Sequence, residues 1–326
     1  MTEAVSFADI QEAAQRLAGQ AVRTPLLRHD ALDRLAGGRI FIKAEPLQVT
    51  GSFKFRGAYN RLSRLSEAER QGGVVAFSSG NHAQGVAAAA RRVGCPALIL
   101  MPHDAPRTKV AATRALGAEV EHFHRLNDDR EALGALRAKS RGAVLVPPFD
   151  DPFIIAGQGT VGLEIAQQMK ELGERPDVVC ACASGGGLVA GLALALEREA
   201  PHAKVMVAEP ADYNDHALSL ASGERTAHDP AGPSLCDALL APIPGRLTFP
   251  INLRRLSGAV SATDDEVLDA MGLAFTYLKL VVEPGGAVGL AAALQGRLNL
   301  NSGTAVIVAS GGNVDPDVFS RALARL

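Results

Sequence analysis

The sequence predicts an α/β protein with a buried, mostly parallel sheet, and three observations lead there. Short, almost wholly apolar runs recur between stretches long enough to be helices, the pattern of strands covered on both faces. Polar glycine turns follow three of those runs directly, at Ser78-Ser79-Gly80-Asn81-His82, Ser184-Gly185-Gly186-Gly187 and Ser310-Gly311-Gly312-Asn313, and the ends of parallel strands are where such sheets keep their ligand sites. The chain of 326 residues, 47% hydrophobic and 21% charged, exceeds the size at which one core stops growing, so two lobes are expected.

In chain order the strand runs are Ile40-Phe41-Ile42, Val74-Val75-Ala76-Phe77, Ala97-Leu98-Ile99-Leu100-Met101, Ala143-Val144-Leu145-Val146, Val178-Val179-Cys180-Ala181-Cys182, Val205-Met206-Val207-Ala208 and Ala305-Val306-Ile307-Val308-Ala309. Most are rich in β-branched residues, and all are too short for a helix. The intervening spacing predicts helices over 7–18, 56–70, 82–93, 106–116, 128–140, 159–172, 187–199, 264–279 and 284–296. Between Gly223 and Ile251 the prolines 230, 233, 242, 244 and 250 interrupt any regular element, so this stretch reads as a long ordered loop near the site.

A formal net charge of -2 and the lack of a Lys/Arg run interleaved with aromatics argue against nucleic acid and anionic membranes as partners, leaving a small-molecule substrate. Met1-Thr2-Glu3-Ala4-Val5 carries no basic leader and no apolar stretch is long enough to span a bilayer, so a cytoplasmic protein is expected. Cys95, Cys180, Cys182 and Cys236 have neither zinc spacing nor disulfide density and read as reduced, buried thiols. Cys180 and Cys182 alternate on a strand and face one side, and so do His122 and His124, which without a third ligand read as a strand face.

The run Thr50-Gly51-Ser52-Phe53-Lys54-Phe55-Arg56-Gly57-Ala58 presents one lysine among apolar neighbours at a predicted helix start. An apolar setting disfavours the ammonium form, lowers the pKa and frees the amine to attack aldehydes, which makes Lys54 the candidate reactive residue. A snorkelling lysine at a helix N-terminus also accounts for this loop taken alone. Ser184-Gly185-Gly186-Gly187-Leu188-Val189-Ala190-Gly191 follows a strand and opens a helix, so its N–H groups can gather around a phosphate. It lacks the Gly-Lys-Ser/Thr ending of a nucleotide-binding loop and the spacing of the dinucleotide fingerprint, which favours a single phosphate, with a plain tight turn as the alternative. Ser79, Asn81 and the backbone around Gly80 can meet a ligand or merely cap the next helix, and Ser310 can offer its hydroxyl to a heterocyclic nitrogen or be a loop serine.

Together these residues closely resemble the fold-type II pyridoxal-phosphate enzymes, specifically the threonine/serine dehydratase and serine racemase family. The resemblance runs over nearly the whole chain, through Lys43-Ala44-Glu45-Pro46-Leu47-Gln48, Gly51-Ser52-Phe53-Lys54, Ser78-Ser79-Gly80-Asn81-His82, Ala156-Gly157-Gln158-Gly159-Thr160, the Ser184 glycine run, Glu283-Pro284 and Ser310-Gly311-Gly312-Asn313. It implies two open twisted α/β lobes of the tryptophan synthase β-like kind with the cofactor between them. Residues 1–70 and 148–326 would form the large cofactor-binding domain, and 71–147 a small mobile substrate domain. It also implies a homodimer.

By the same resemblance the cofactor is pyridoxal 5'-phosphate, held as an internal aldimine by Lys54 and contacted by Phe53, Asn81, Ser184, Gly185, Gly186, Gly187, Leu188, Glu283 and Ser310. Asn81 would bond the ring hydroxyl, residues 185–188 the phosphate, and Ser310 the pyridine nitrogen. A neutral hydroxyl there does not stabilise a protonated ring, which favours elimination over transamination. Ser78, Ser79, Gly80, Asn81 and His82 would bind the substrate carboxylate. The implied reaction is dehydration of a β-hydroxy amino acid through an α-aminoacrylate to a 2-oxo acid and ammonia, with Lys54 removing the Cα proton and the cofactor phosphate protonating the leaving hydroxyl.

Ser79 matches the opposite-face base of serine racemases, which keeps racemisation as an alternative, whereas Pro147-Pro148-Phe149-Asp150 is closer to the dehydratase form of its loop. β-Replacement and a non-catalytic binding protein are the remaining readings, the latter opposed by the intact Lys54. Asp237-Ala238 departs from the acidic-residue-then-glycine pattern, and the added methyl bears on substrate fit. Glu209-Pro210-Ala211-Asp212-Tyr213-Asn214-Asp215 resembles the family's divalent-cation loop, with the carboxylates of Glu209 and Asp215 and the carbonyl of Tyr213 as oxygen ligands suited to Mg2+ or Ca2+. The chain stops at Leu326, soon after the last motif, so no regulatory domain responding to isoleucine is expected.

Overall fold

Apolar runs buried on both faces can pair in more than one sheet, and here they divide between two. The computed structural model describes residues 4–326 apart from Ser79, Pro106, Arg125, Leu126, Pro230 and Ala231. Its strands are β1 (Leu26–Leu27), β2 (Arg39–Ala44), β3 (Val74–Phe77), β4 (Ala97–Pro102), β5 (Glu119–Phe123), β6 (Val144–Leu145), β7 (Val178–Cys182), β8 (Lys204–Pro210), β9 (Leu256–Ala262) and β10 (Thr304–Ala309). A six-stranded sheet has the order β1-β2-β10-β7-β8-β9, and a four-stranded sheet the order β5-β4-β3-β6. All pairings are parallel except β1 with β2, as expected where helices connect the strands. The two sheets agree with the two α/β lobes that the family resemblance implies; periodicity alone reports that a strand is buried and not which strand lies beside it.

Three helices cross at glycines behind the site. The helix Pro152–Glu171 begins where Asp151 accepts the N–H groups of Phe153 and Ile154, with Pro152 in its first turn, so it starts seven residues before the expected 159. On one side Gly157 lies against Gly57 of the helix Lys54–Leu62; a methyl on Gly157 would sit 2.6 Å from the Gly57 Cα. On the other side Gly159 packs on Gly191 of the helix Gly187–Glu199, where a methyl on Gly159 would come 2.9 Å from the Gly191 carbonyl oxygen. The helices that begin at Lys54 and at Gly187 are therefore both anchored to one long helix.

Other boundaries differ for local reasons. The expected helix 56–70 is two, Lys54–Leu62 and Glu67–Gly72, because Ser66 and Glu69 form a reciprocal cap that starts a new helix. The expected helix 264–279 is α-helical only through Leu273, then takes a π turn over Ala274–Leu278 and stops at Lys279 with φ 55°. β9, the hairpin-like β1, and the helices Asp30–Ala36, Asp215–Ser222, Thr248–Arg255 and Pro316–Leu323 were not anticipated. They are short, and three of those helices bury only one or a few side chains near chain turns, so their apolar period is weak.

The four cysteines are free and buried, and no described helix is long and apolar enough to cross a membrane. His122 lies on β5 and His124 just after it, and His103, just past the end of β4, stacks on His122 with ring centroids at 5.3 Å and lies tilted against His124 at 4.4 Å. The third imidazole missing from the local spacing therefore comes from the neighbouring strand. Among the described residues, however, only Glu209, Asp215 and His216 bring ligand atoms within 4.8 Å of one another.

Candidate functional site

The ends of β3, β7 and β10 converge on one cavity of about 150 Å³. Its lining includes Lys54, Asn81, the turn Ser184–Leu188 and Ser310, so the three glycine turns singled out in the sequence do meet. Phe53, Ser78, Gly80 and His82 line it too. Ser79 lies outside the described residues.

Lys54 opens its helix, and its amine donates to the Pro148 carbonyl at 2.9 Å. Burial takes this amine down to about 8, against the pull of the Cys182 thiol and the Glu283 carboxyl. The loop before it is stitched to the end of β10. Phe53 N–H donates to the Ser310 carbonyl (3.1 Å), Gly312 N–H to the Gly51 carbonyl (2.9 Å), and the Asn313 amide to the Thr50 carbonyl (2.8 Å). Thr50 itself has φ 64°, a left-handed conformation that these bonds stabilise.

Two residues farther along, Arg56 is wholly buried and faces away from the cavity. It bonds both oxygens of Glu45 (2.8 and 2.9 Å) and both of Glu164 (2.6 and 2.9 Å). Burial works against this charge, but the two carboxylates outweigh it and raise Arg56 above its ordinary value. Lys43 joins the cluster, its amine donating to Glu164 (2.6 Å), the Thr24 carbonyl (2.7 Å) and Gln168 (2.9 Å).

The turn after β7 enters its helix through Gly186, with φ 87°. A methyl there would meet Asn252 and His216, each at 2.6 Å, and on Gly185 it would run into the Phe149 ring. Glycine is thus demanded by conformation and by space, and the N–H groups opening the helix Gly187–Glu199 border the cavity. Ser184 Oγ accepts the Ala241 N–H at 3.3 Å. At the end of β10, the Ser310 hydroxyl accepts from the Cys182 thiol at 3.2 Å, and burial pushes that thiol up to about 11.

Asn81 does not point free into the cavity. Its amide donates to Glu283, and its carbonyl accepts from Asn313 at 2.8 Å. Burial raises Glu283 to about 7, with the Lys109 cation opposing. His82 bonds the Val146 carbonyl at 3.0 Å, and burial, helped by the nearby Lys54 charge, lowers it to about 3, so it is neutral. One cavity residue that the sequence reading missed is Lys109, on the helix Arg107–Ala115, whose amine meets Asp237 at 2.6 Å. These partners are 128 residues apart, and no local pattern signals their pairing.

The predicted cation loop lies at the end of β8. Glu209 and Asp215 are buried, and Glu209 accepts the N–H groups of His216 (2.8 Å) and Ala217 (3.0 Å). His216, not anticipated as part of the loop, places Nδ1 at 3.4 Å from both Glu209 Oε1 and Asp215 Oδ2. Burial opposes its charge, but the two carboxylates prevail and raise it to about 9.

A family model described as pyridoxal-phosphate dependent enzyme matches residues 17–311. The chain is 41% identical to an L-threo-3-hydroxyaspartate ammonia-lyase of Pseudomonas sp., over 98% of each protein. It is 36% identical to a serine racemase of Schizosaccharomyces pombe, again over 98% of each. Among solved structures, a threonine deaminase of T.th. superposes with a TM-score of 0.90 at 42% identity, covering 95% of this chain and 99% of that one.

Proposed function

This chain belongs to the pyridoxal-phosphate dependent enzymes, and on that premise we propose that it converts a β-hydroxy amino acid of the threonine or serine type to a 2-oxo acid and ammonia. One observation carries the reading. A buried amine of lowered basicity, Lys54, shares a cavity with a glycine turn at a helix N-terminus and with a hydroxyl, Ser310, at the end of β10.

The residues present fit pyridoxal 5'-phosphate. Lys54 has the nucleophilic amine for its aldehyde, Gly185, Gly186, Gly187 and Leu188 have the N–H groups for its phosphate, and Ser310 has the hydroxyl for its ring nitrogen. Phe53, Ser184, Asn81 and Glu283 complete the holding set. When bound, the cofactor supplies an electron sink that makes the substrate Cα–H acidic.

The chain's own groups do the rest. The neutral Lys54 amine takes the Cα proton, since a pKa near 8 leaves a useful fraction unprotonated at neutral pH. Ser78, Ser79, Gly80, Asn81 and His82 hold the substrate carboxylate, and His82 does so without adding charge because it is neutral. The lobe of residues 71–147 closes over the substrate and excludes water, with Lys109 and Asp237 as one point where the two sides meet. The β-hydroxyl leaves as water, and hydrolysis of the resulting enamine returns one water and releases ammonia.

Racemisation is the second reading, favoured by the serine at position 79 and by the likeness to a serine racemase. The enzyme is read as a homodimer, the assembly that its resemblance to the family implies. Glu209, Asp215 and the Tyr213 carbonyl hold one divalent cation; three oxygen ligands alone would suit Mg2+ or Ca2+. The test is 2-oxo acid release by the cofactor-loaded protein from a panel of L- and D-3-hydroxy amino acids, with chiral analysis of recovered substrate. Oxo acid from one member is expected. Inverted substrate without oxo acid would replace the dehydratase reading by the racemase one.

A further inference from the structure

The cation loop contains more than the oxygen ligands that its sequence suggested. Asp215 Oδ2 and His216 Nδ1 are both buried polar atoms with no hydrogen-bond partner, and they face each other at 3.4 Å. The same Nδ1 is 3.4 Å from Glu209 Oε1. Buried polar atoms are rarely left unpaired, and a convergence of this kind has room for a water or an ion between them.

We infer that His216 Nδ1 is a nitrogen ligand of this loop, so that the site takes a borderline transition dication of the Zn2+ or Co2+ kind in preference to Mg2+ or Ca2+. The inference rests on the reading that the loop binds a cation at all, and adds which class of ion it selects. The spacing supports it. Ligands bonded at about 2.1 Å in a tetrahedron lie about 3.4 Å apart, whereas the octahedron of Mg2+ at about 2.1 Å places neighbouring ligands about 3.0 Å apart. Ca2+, with longer bonds, spans the gap but requires oxygen ligands throughout, and imidazole is not among them. Imidazole with carboxylates suits borderline ions instead.

The surroundings are arranged to present that nitrogen. Glu209 is fixed by the backbone N–H groups of His216 and Ala217, which leaves further lone pairs on its oxygens. Asn252 Nδ2 lies 3.4 Å from His216 Nε2, and Asn252 Oδ1 is itself buried without a partner. A half-turn of that amide sets Oδ1 against Nε2–H, the tautomer that turns the Nδ1 lone pair toward the carboxylates. His216 and Asn252 both lie against the glycine turn of the cofactor cavity, where a methyl on Gly186 would come within 2.6 Å of each.

The experiment uses the cofactor-loaded protein stripped of metal by a chelator. Zn2+, Mg2+ and Ca2+ are titrated calorimetrically, and Co2+ is followed by its visible d–d bands, which require no variant. The expected result is Zn2+ binding far tighter than Mg2+ or Ca2+, Co2+ bands characteristic of four-coordination, and at least about a 10-fold loss of Zn2+ affinity in His216→Gln. Mg2+ or Ca2+ binding as tightly as Zn2+, with octahedral Co2+ bands that His216→Gln leaves unchanged, would overturn the inference while preserving the oxygen-ligand reading. No ion binding to the unaltered protein would overturn both.

Discussion

Lys54 and Arg56 are cations two residues apart at the start of one helix, and they meet opposite fates. Two residues turn a helix by about 200°, so one side chain enters the cavity and the other enters the packing behind it. Arg56 finds Glu45 and Glu164 there and stays charged despite complete burial. Lys54 donates to a neutral carbonyl, and burial drives it down to about 8. Lys43 shows that an amine too can be kept as a structural group, with three acceptors around it. Burial lowers Lys43 as well, against the pull of Glu164 and Glu45, so lowered basicity alone does not set Lys54 apart; its place on the cavity does.

The comparison breaks most sharply at Lys54. Lys54→Ala should abolish turnover while leaving the fold intact, read by 2-oxo acid release beside circular dichroism and a thermal melt. Next comes Arg56→Met, which strands Glu45 and Glu164 in the interior. It should cost about 3–5 kcal/mol in denaturant unfolding, with the folded fraction keeping its activity. Equal stability in that variant would mean that the cluster is not what holds the helix.

The pH dependence sharpens the contrast. Because the amine must be neutral to attack, the rate at which apoenzyme captures the cofactor aldehyde should rise with pH and level off above about 8, following Lys54. A rate still climbing toward the ordinary lysine value of 10.5 would show that burial does not tune it. The smallest effect belongs to Lys109→Ala. Asp237 is 41% exposed, so losing that pair should change unfolding free energy by no more than about 1 kcal/mol. The expected change is in KM, if the pair aligns the two sides of the cavity.

The cavity half of this contrast was legible in the sequence and the buried ion cluster was not. The Gly185–Gly187 turn and Ser310 each follow an apolar run directly, Lys54 stands in a glycine-bounded loop at a helix start, and topology brings these segments together. Arg56 stands in the same loop, yet its partner Glu164 is 108 residues away, and nothing near either residue signals the pairing. His216 was missed for a different reason. It follows the acidic loop directly, but only the start of the helix Asp215–Ser222 turns its ring back onto Glu209. The split of the expected helix 56–70, by contrast, was readable, since Ser66 and Glu69 have the spacing of a reciprocal cap.

Reduction of the cofactor-loaded protein with borohydride, followed by peptide mapping, tests the central claim most directly, because it fixes the cofactor on whichever lysine carries it. The account predicts the added mass on the peptide containing Lys54 and none on those containing Lys43 or Lys109. Label on either of those, or unlabelled Lys54, would contradict it.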